Sequence, residues 1–472
     1  MHKSNKRIIH TLVVMSMLFL SIIGYMTYFE VFMKDKIISN SYNRRQLEQE
    51  ENAIRGSVFD RNGTVLAESQ VEGEKQQRIY PYKNLYSHII GYSSKVYGKS
   101  LIEASYNKYL LGINELNAVF DIKNKLTGGA KKGNHVHLTI DHQLQVRAEK
   151  LLRSKKGAVV VVNPKTGEIL AMVSKPDFNP TNENLEKKWR EMVESKEYPF
   201  LPRATQGLYI PGSTYKIVNS AAAIEQGLGD FTIEDEGSIV IDGKEIKNSG
   251  SKAHGLINMK QALAVSSNTF FSQIGVKLGT EHLKSTALKV GFGKDIPFDI
   301  PMNQSIFPYN DMSETDMAAV GMGQGKLLVT PLHMAMITSS VANEGIMMKP
   351  FLVSEVTTVG GSVISNHKPE RLCQTMMPET ANKVKEMMRE VVETGTGKNA
   401  GIKGINVAGK TGTAENELTG KEKNKEHAWF VGFAPVEDPQ VAVAVIIEYG
   451  GSTGGQTAAP IARELMAAWL AK

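Results

Sequence analysis

The amino-acid sequence predicts an α/β protein, in which an antiparallel sheet is flanked by helices and the middle of the chain is helical. Short apolar runs that are typical of strands occur early and late in the chain. Turn-rich segments join the late runs, which favours antiparallel neighbours. Helical patterns lie between the two groups, so we expect both groups to share one sheet with helices packed on it. The predicted strands cover residues 158–162, 168–173, 405–413, 428–434 and 441–448.

The helical part of this prediction is justified by apolar residues that recur at helical spacing. Leu144, Ala148 and Leu152 mark one amphipathic helix, and the stripe from Ala381 to Val391 marks another whose apolar face is core. The pattern near residue 270 is interrupted by three polar residues, which divides it into two helices. Helices are therefore predicted over residues 101–112 and 144–152, after 213, over 259–278 with a break at 266–268, after 331, and over 378–393 and 458–470. The polar loop 176–202 is expected to contain a helix through Trp189.

The composition excludes several classes of protein. A net charge of +6 is small for 472 residues, and no basic stripe alternates with aromatic residues, so we expect no nucleic-acid partner. The single cysteine, Cys373, excludes an intrachain disulfide and has no evident role. His135 and His137 lack Cys, Asp or Glu partners at ligand spacing. We therefore expect exposed strand histidines at these two positions and no metal site.

The N-terminus predicts a membrane anchor. Residues from Ile8 to Phe29 include no Asp, Glu, Lys or Arg, and about 20 apolar residues suffice to span a bilayer as a helix. Lys3, Lys6 and Arg7 precede this run, which places the N-terminus in the cytoplasm. A cleaved signal peptide is the alternative, but no clear small-x-small site follows the run. We predict a single-pass membrane protein whose remaining residues are extracytoplasmic.

We predict three parts along the chain. Residues 1–33 form the cytoplasmic tip and anchor, residues 34–140 form a small α+β pedestal, and residues 141–472 form the catalytic domain. The polar segment 36–51 is expected to be a helical stalk at the start of the pedestal. Asp60-Arg61-Asn62-Gly63 is a strong turn signal between two short alternating runs, so it predicts a hairpin with an architectural role.

The chemistry is predicted to centre on Ser213, three residues before Lys216. A serine hydroxyl needs a base to become a nucleophile, and a lysine one helical turn away can serve if its pKa is lowered. The pattern Ser-x-x-Lys is weak, because it also occurs at residues 105–108, 249–252 and 365–368. Only the match at Ser213 follows Pro211-Gly212 and precedes an apolar helical pattern.

Two further motifs complete a set for acyl transfer. Ser266-x-Asn268 lies at the predicted break between two helices, and Lys410-Thr411-Gly412-Thr413 ends a predicted strand. There, Gly412 is expected to leave room for a substrate along the strand edge, with the threonine hydroxyls facing outward. Ser-x-Asn and Lys-Thr-Gly each recur elsewhere in the chain, so only their order and setting carry the prediction.

This ordered triple resembles that of penicillin-binding proteins and serine β-lactamases. The chain looks most like a class B, monofunctional penicillin-binding protein, over nearly its whole length after the anchor and most specifically over residues 157–470. That resemblance implies the penicillin-binding transpeptidase fold, with a sheet flanked by helices and an all-helical lobe. The segments that carry it are Arg55-Gly56 with the 60–63 turn, 157–172, Pro211 to Lys216, Gly323-Gln324-Gly325 with Thr330-Pro331, 410–415 and 427–435.

The resemblance implies a peptidoglycan D,D-transpeptidase. Ser213 is expected to attack the D-Ala-D-Ala carbonyl of a stem peptide, with Lys216 as general base. Ser266 is expected to relay a proton to the leaving amine, and Lys410 to keep the local field positive. Lys410 also supplies a reason for Lys216 to be neutral. An amine of a neighbouring strand then completes the cross-link, and β-lactams acylate the same Ser213.

The resemblance also implies the binding roles and the partners. Asn268 is expected to bind the donor amide, and the segment Thr411-Gly412-Thr413 is expected to bind the substrate, with both threonines receiving its terminal carboxylate. The backbone N–H groups of Ser213 and Thr413 form the oxyanion hole. No cofactor or metal is implied. The lipid-linked precursor polymer is the substrate, and a polytopic membrane glycosyltransferase is the implied partner.

Two rival functions stay open on the sequence alone. A β-lactamase or β-lactam sensor uses the same serine, and Glu186, Glu191 and Glu194 all lie in a plausible loop for a deacylating base. The anchor and the pedestal argue against a secreted hydrolase, and the single span argues against a multi-span receptor. A catalytically silent scaffold is the second rival, but all three motifs are intact.

Overall fold

The computed structural model describes residues 3–33, 53–72, 75–113, 131–308, 311–414, 426–450 and 452–472. The predicted α/β class is confirmed, because a central antiparallel sheet is covered by helices on both faces. The stalk predicted over residues 36–51 lies outside the described residues. The helices are α1 (Lys3–Tyr28), α2 (Leu101–Ser105), α3 (Asn107–Leu110), α4 (His142–Leu152), α5 (Asn182–Glu194), α6 (Arg203–Gln206), α7 (Lys216–Glu225), α8 (Met259–Val265), α9 (Asn268–Lys289), α10 (Glu314–Met322), α11 (Pro331–Ala342), α12 (Pro378–Glu393), α13 (Gly454–Thr457) and α14 (Ala459–Leu470).

The strands are named in chain order as well. They are β1 (Ala53–Ile54), β2 (Val58–Phe59), β3 (Val65–Glu72), β4 (Lys75–Ile79), β5 (Ser93–Ser94), β6 (Gly98–Lys99), β7 (Lys131–Lys132), β8 (His135–Leu138), β9 (Gly157–Val162), β10 (Ile169–Lys175), β11 (Thr232–Asp235), β12 (Ser238–Ile241), β13 (Lys244–Lys247), β14 (Gly255–Asn258), β15 (Ile346–Met348), β16 (Val353–Thr357), β17 (Val363–Asn366), β18 (Arg371–Gln374), β19 (Ala408–Ala414), β20 (His427–Ala434) and β21 (Val441–Ile447).

The central sheet has five antiparallel strands in the order β10-β9-β21-β20-β19. The early hairpin β9–β10 therefore pairs with the late strands, as the sequence predicts. Every residue of β9, β20 and β21 is buried, because helices cover both faces. Val159 and Val161 pack in the cluster that contains the closing helix α14, whereas Val160 and Val162 pack on the opposite face with α11. Burial on both faces explains why these strands are continuous apolar runs in the sequence.

A second sheet of six strands has the order β17-β16-β8-β2-β3-β4. Four of these strands belong to the described residues between 53 and 140, which we call the N-terminal unit. The hairpin predicted at residues 60–63 is confirmed, since β2 and β3 pair antiparallel with Val58 opposite Ala67. Strands β16 and β17 come from residues 353–366 and pair with β8. One sheet therefore joins strands from either side of the predicted boundary at residue 140.

The turn at residues 60–63 contacts the start of helix α4. Asp60 Oδ1 accepts hydrogen bonds from the backbone N–H groups of Asn62 (2.9 Å) and Thr64 (2.7 Å), which shapes the turn. Asp60 Oδ2 accepts from the N–H of His142 (3.1 Å), and Asn62 Nδ2 donates to Asp141 (3.1 Å). His142 begins α4 and Asp141 is its N-cap. The contacts of this turn are architectural.

A buried ion cluster holds the N-terminal unit together. Glu103 is fully buried and accepts from the Nε of Arg55 at 2.6 Å and from the Nε of Arg78 at 2.7 Å. Burial raises the pKa of Glu103, but the two guanidinium groups outweigh it and lower the pKa to about 2. Arg55 and Arg78 therefore keep Glu103 ionised inside an apolar core, which the sequence alone did not predict.

Several local predictions differ from the structure. The helix predicted over residues 101–112 is divided into the short helices α2 and α3. His135 and His137 are half-buried rather than exposed, and His135 Nδ1 accepts from the N–H of Ser57 at 3.1 Å.

The helix expected in the loop 176–202 is confirmed as α5. The described part of the chain contains one helix apolar enough to cross a membrane, at Lys6–Tyr28, with a mean hydropathy of 2.1.

Candidate active site

Ser213 lies on a 3-10 turn, Gly212–Tyr215, that leads directly into α7. The predicted helix after Pro211-Gly212 is confirmed, with a tight first turn before the α-helical part begins at Lys216. The Ser213 side chain is half-buried and lines a cavity of about 640 Å³. The cavity brings together Ser213, Ser266, Asn268, Thr411 and Thr413, so residues from three distant parts of the chain meet at one site.

Three contacts from distant parts of the chain hold the Ser213 turn in place. The N–H of Gly212 donates to the carbonyl of Gly323 at 2.9 Å. Trp429 Nε1 donates to the carbonyl of Ile210 at 3.1 Å, and the hydroxyl of Tyr209 donates to Glu448 at 2.7 Å. The resemblance covered Gly323 and Trp429, but the sequence assigned no function to either of them or to Glu448.

Two glycines let the turn approach the edge strand β19. Gly212 has a φ of +54°, and a Cβ there would lie 2.8 Å from the carbonyl oxygen of Thr413. A Cβ on Gly412 would lie 3.0 Å from Thr214 Cγ2 and 3.0 Å from Trp429 Cβ. The room that Gly412 leaves is thus occupied by the protein's own side chains, not reserved for a substrate as predicted. This close approach sets Ser213 beside Thr413.

Ser266 lies at the end of α8 in a strained conformation. Its φ is 63° and its ψ is 38°, the left-handed region that a residue with a Cβ rarely adopts. Ser267 then caps α9, since its side chain accepts from the N–H of Phe270 at 3.1 Å. The break predicted at residues 266–268 is therefore confirmed. The left-handed residue is what turns the chain between the two helices, with Ser266 facing the cavity.

A buried network that the sequence did not reveal supports this turn. Asn248 Oδ1 accepts from the backbone N–H groups of Asn268 (2.7 Å) and Thr269 (3.2 Å), and its Nδ2 donates to Asp235 (2.8 Å). Ser267 Oγ donates to the same Asp235 at 2.8 Å. Burial raises the pKa of Asp235, but hydrogen bonds from Gly237 N–H, Thr269, Asn248 and Ser267 leave it below its ordinary value. No motif around Asp235 or Asn248 marks them in the sequence.

Lys216 is fully buried and faces the Ser266 turn. Its Nζ donates to the carbonyl of Ser266 at 2.9 Å and to Asn268 Oδ1 at 2.8 Å, and it lies 3.4 Å from Ser266 Oγ. Burial lowers the pKa of Lys216 well below that of a free lysine, and the charge of Lys410 lowers it further. Burial is thus the larger cause and the charge of Lys410 the smaller one. A neutral Lys216 amine donates its two N–H groups to these two carbonyl oxygens. Its lone pair is then available to accept a proton from a hydroxyl.

Lys410 approaches Ser266 from the other side. Its Nζ donates to Ser266 Oγ at 2.9 Å and to the carbonyl of Thr411 at 2.9 Å, and its side chain is fully buried. Burial lowers the pKa of Lys410 to about 7. The Ser266 hydroxyl therefore lies between two buried amines whose pKa values are lowered, an arrangement suited to passing a proton.

The cavity walls come from β19 and from the hairpin β12–β13. Thr411 Oγ1 and Thr396 Oγ1 lie 2.7 Å apart, and Thr413 is exposed to the cavity. On the opposite side the backbone carbonyl of Lys247 accepts from Asn268 Nδ2 at 2.9 Å. Asn268 thus contacts Lys216 through its oxygen and β13 through its nitrogen, and it retains a free N–H and a free lone pair for a peptide amide.

The structure places the three candidate deacylating bases away from the cavity. Glu186, Glu191 and Glu194 lie on the exposed surface of α5. The indole of Trp189 on this helix stacks on Tyr97 of the N-terminal unit, with ring centroids 4.1 Å apart. The one carboxylate among the described residues that line the cavity is Glu245, which forms an ion pair with Lys247 at 3.0 Å.

Metal-ligand geometry is absent from the described residues. They contain no group of three or more His, Cys, Asp or Glu side chains that could hold a metal ion. Cys373 is half-buried, and its Sγ donates to the carbonyl of Lys289 at 3.5 Å, outside the three motifs.

The fold and the site together define a serine acyl transferase that has lysine amines beside its hydroxyls.

Comparison with known proteins gives the family. The penicillin binding protein transpeptidase domain matches residues 157–467, and the penicillin binding protein A dimerisation domain matches residues 55–136. The chain is 32% identical to the peptidoglycan D,D-transpeptidase PbpA of Mycolicibacterium smegmatis, an alignment that covers 93% of this chain and 94% of that protein. It is 30% identical to the peptidoglycan D,D-transpeptidase MrdA of Acinetobacter baumannii, with coverage of 83% and 66%.

A solved structure supports the same assignment. The ceftriaxone acyl-enzyme complex of penicillin-binding protein A from Mycobacterium tuberculosis superposes with a TM-score of 0.85 at 29% identity, covering 89% of this chain and 99% of that one. The chain belongs to the penicillin-binding protein transpeptidase family, as a class B penicillin-binding protein.

Proposed function

We propose that this class B penicillin-binding protein is a peptidoglycan D,D-transpeptidase that uses Ser213 as its nucleophile. The observation that carries the proposal is the position of Ser266 Oγ, 2.9 Å from Lys410 Nζ and 3.4 Å from Lys216 Nζ, on the same cavity as Ser213. A chain of hydroxyls and buried amines supplies every proton transfer that acylation requires. The D,D-transpeptidase names of the relatives are consistent with it.

Acylation begins with removal of the Ser213 proton. Lys216, neutral through burial and the nearby Lys410, is the general base, and its lone pair is the acceptor. Ser213 Oγ then attacks the carbonyl between the two D-alanines. The resulting oxyanion is stabilised by the backbone N–H groups of Ser213 and Thr413, each worth about 3 kcal/mol in other acyl-transfer enzymes.

Expulsion of the terminal D-alanine needs a proton on its nitrogen. Ser266 gives its hydroxyl proton to the leaving amine and is reprotonated by Lys216, whose Nζ lies 3.4 Å from its oxygen. Lys216 thereby releases the proton that it took from Ser213 and returns to its neutral form. The strained backbone of Ser266 keeps this hydroxyl between the two amines. A protonated Lys410 also attracts the carboxylate of the substrate.

The substrate is held by the two cavity walls. The hydroxyls of Thr411 and Thr413 on β19 receive the terminal carboxylate, while Asn268 binds the amide of the donor stem peptide. Gly412 contributes by letting the Ser213 turn pack close to β19, and the peptide pairs along this edge. A β-lactam presents the same carboxylate and a strained amide, so it acylates Ser213 too, and the ceftriaxone acyl-enzyme of the mycobacterial relative supports this.

The second half-reaction uses an amine of a neighbouring stem peptide and not water. Among the described cavity residues, Glu245 is the one carboxylate, and it belongs to the hairpin β12–β13 and pairs with Lys247. A hydrolase needs a base that orients water beside the acyl bond, and the glutamates of α5 are not part of the cavity lining. A β-lactamase or a sensor is therefore the weaker function.

The protein acts at the outer face of the bacterial membrane. Among the described residues, helix α1 supplies one apolar segment long enough to span a bilayer, Lys6–Tyr28. Lys6 and Arg7 at its start favour a cytoplasmic N-terminus. The catalytic domain then lies outside, where the lipid-linked precursor polymer is assembled. We infer that a polytopic membrane glycosyltransferase supplies this polymer and contacts α1 or the N-terminal unit.

The test of the function is a product analysis. The purified full-length protein is incubated with polymerised, uncross-linked peptidoglycan, and the digested products are separated by mass spectrometry. Cross-linked dimers that disappear with Ser213→Ala support a transpeptidase. Trimmed stem peptides alone, or rapid turnover of penicillin without cross-links, would show that water is the acceptor and would overturn the proposal.

A further inference from the structure

We propose that Thr396 is a positioning residue for Thr411, directing the Thr411 hydroxyl proton into the cavity toward the carboxylate of the ligand. The inference rests on the proposed function, since it concerns the carboxylate subsite of that reaction. Thr396 lies outside the three motifs, in the loop after α12, and it lines the same cavity as Thr411. Its Oγ1 lies 2.7 Å from Thr411 Oγ1, at hydrogen-bond distance.

The backbone around Thr396 is held by the elements that build the active site. Its N–H donates to the carbonyl of Ala264 at 3.1 Å, two residues before Ser266 on the helix that leads into it. The next N–H, that of Gly397, donates to the carbonyl of Val391 at 2.9 Å. Asn399 Nδ2 donates to the carbonyl of Gly455 at 2.8 Å, on the wall of the cavity. The position of Thr396 is therefore set before any ligand binds.

The number of protons on the two hydroxyls gives the contact its direction. Each threonine hydroxyl has one proton to donate and two lone pairs. If Thr411 donates to Thr396, a carboxylate in the cavity meets only lone pairs on Thr411 and is repelled. If Thr396 donates to Thr411, the Thr411 proton is free for the carboxylate, and each hydrogen bond of the chain polarises the next. An anionic ligand selects the second arrangement.

Thr411 by itself does not enforce this arrangement. Its side chain is 6% exposed, and a hydroxyl can rotate to any acceptor that it reaches. The carbonyl of Thr411 already accepts from Lys410 Nζ at 2.9 Å, so the lysine holds the backbone of this residue, and Thr396 is the group that holds its hydroxyl. The loop after α12 thereby contributes to the recognition of the anionic end of the substrate.

The experiment compares benzylpenicillin with its methyl ester, which lacks the negative charge, as acylating agents of the full-length protein. Thr396→Val keeps the shape of the side chain and removes the donor. We expect the second-order acylation rate constant to fall about 10-fold with benzylpenicillin and no more than about 2-fold with the ester. Thr396→Ser restores the hydroxyl and is expected to restore the rate. Thr394→Val is the matched control, because Thr394 Oγ1 donates to Glu390 at 2.7 Å and not to the site.

A double variant separates positioning from a general effect on the fold. If Thr396 acts through Thr411, penicillin should acylate the double variant Thr396→Val/Thr411→Val no more slowly than it acylates the single variant Thr411→Val. Equal losses with penicillin and its ester, or additive losses in the double variant, would overturn the inference. Failure of the proposed function is a distinct result, because the wild-type protein would then form no cross-links at all.

Discussion

The Nζ of Lys410 lies 2.9 Å from the Oγ of Ser266, although 144 residues separate them in the chain. Lys410 reaches this position because β19 is the edge strand of the central sheet and the Ser266 turn lies beside it. Lys216 Nζ lies 3.4 Å from the same oxygen. Two amines whose pKa values burial lowers thus bracket one hydroxyl, and proton transfer to and from Ser266 depends on both of them.

Ser213→Ala is expected to abolish covalent labelling by a fluorescent penicillin, because no other described hydroxyl on the cavity precedes a buried lysine by one turn. The melting temperature should change little, since Ser213 is half-buried and its backbone contacts remain. Gel fluorescence and a thermal melt measure the two outcomes. Ser365→Ala is the matched control, because Ser365 begins another Ser-x-x-Lys match on the exposed strand β17. Persistent labelling of Ser213→Ala would show that the nucleophile lies elsewhere.

The pKa of Lys410 predicts how stability depends on pH. Burial lowers this pKa from its ordinary value of 10.5 to about 7, so between these values the unfolded chain binds more protons than the folded one. The free energy of unfolding should therefore rise with pH through this window, by up to about 1.4 kcal/mol per pH unit from this residue. Lys410→Met should flatten that rise in urea titrations at pH 7, 8 and 9, whereas Lys187→Met, on the exposed surface, should not. An unchanged slope in Lys410→Met would contradict the buried assignment.

Asn248→Ala is expected to slow acylation about 10- to 100-fold, because the backbone N–H groups of Asn268 and Thr269 lose their shared acceptor. The cost in stability should be about 1–3 kcal/mol. Stopped-flow acylation by penicillin and urea unfolding measure the two effects. Asp141→Ala removes the N-cap of α4, which is not part of the cavity lining, and is expected to lose comparable stability without loss of acylation. Equal acylation rates in the two variants would show that the Asn248 network does not position the site.

Glu103→Gln is expected to cost about 3–5 kcal/mol of stability, because it leaves the guanidinium groups of Arg55 and Arg78 buried without a counter-charge. Burial raises the pKa of Glu103, but the arginines lower it to about 2, below its ordinary 4.5. The contribution of ionised Glu103 to the free energy of unfolding is therefore fully present above pH 4.5 and is lost as the pH falls toward 2. Urea unfolding at pH 7 and at pH 3 checks both statements.

The matched control for that variant is Glu183→Gln. Glu183 pairs with Lys187 at 2.7 Å on α5, but both side chains are exposed. A solvent-exposed pair contributes little to stability, so this variant should unfold close to the wild type. A Glu103→Gln protein that is equally stable would show that the cluster does not stabilise the N-terminal unit.

The sequence predicted the strands of the central sheet and the longer helices, because their local signals agree with their final surroundings. The strands β9, β20 and β21 are apolar almost throughout and are buried on both faces. Their apolar runs therefore predict buried strands whichever elements pack against them. The helix over Pro378–Glu393 was predicted with its observed limits, since one stripe of it is buried. By contrast, β16 and β17 were not predicted, because they are short and the other strands of their sheet lie more than 200 residues earlier in the chain.

The sequence by itself determined the class of chemistry. Ser213 with Lys216, Ser266 with Asn268 and Lys410 with Thr413 are short motifs, and their order and local setting can be read without a fold. Only the tertiary structure decided how these motifs act, because pKa values and hydrogen bonds depend on neighbours that are distant in the chain. Burial, more than the charge of Lys410, lowers the pKa of Lys216. Asn248 supports Asn268, and Thr396 meets Thr411, through contacts that no spacing in the sequence encodes.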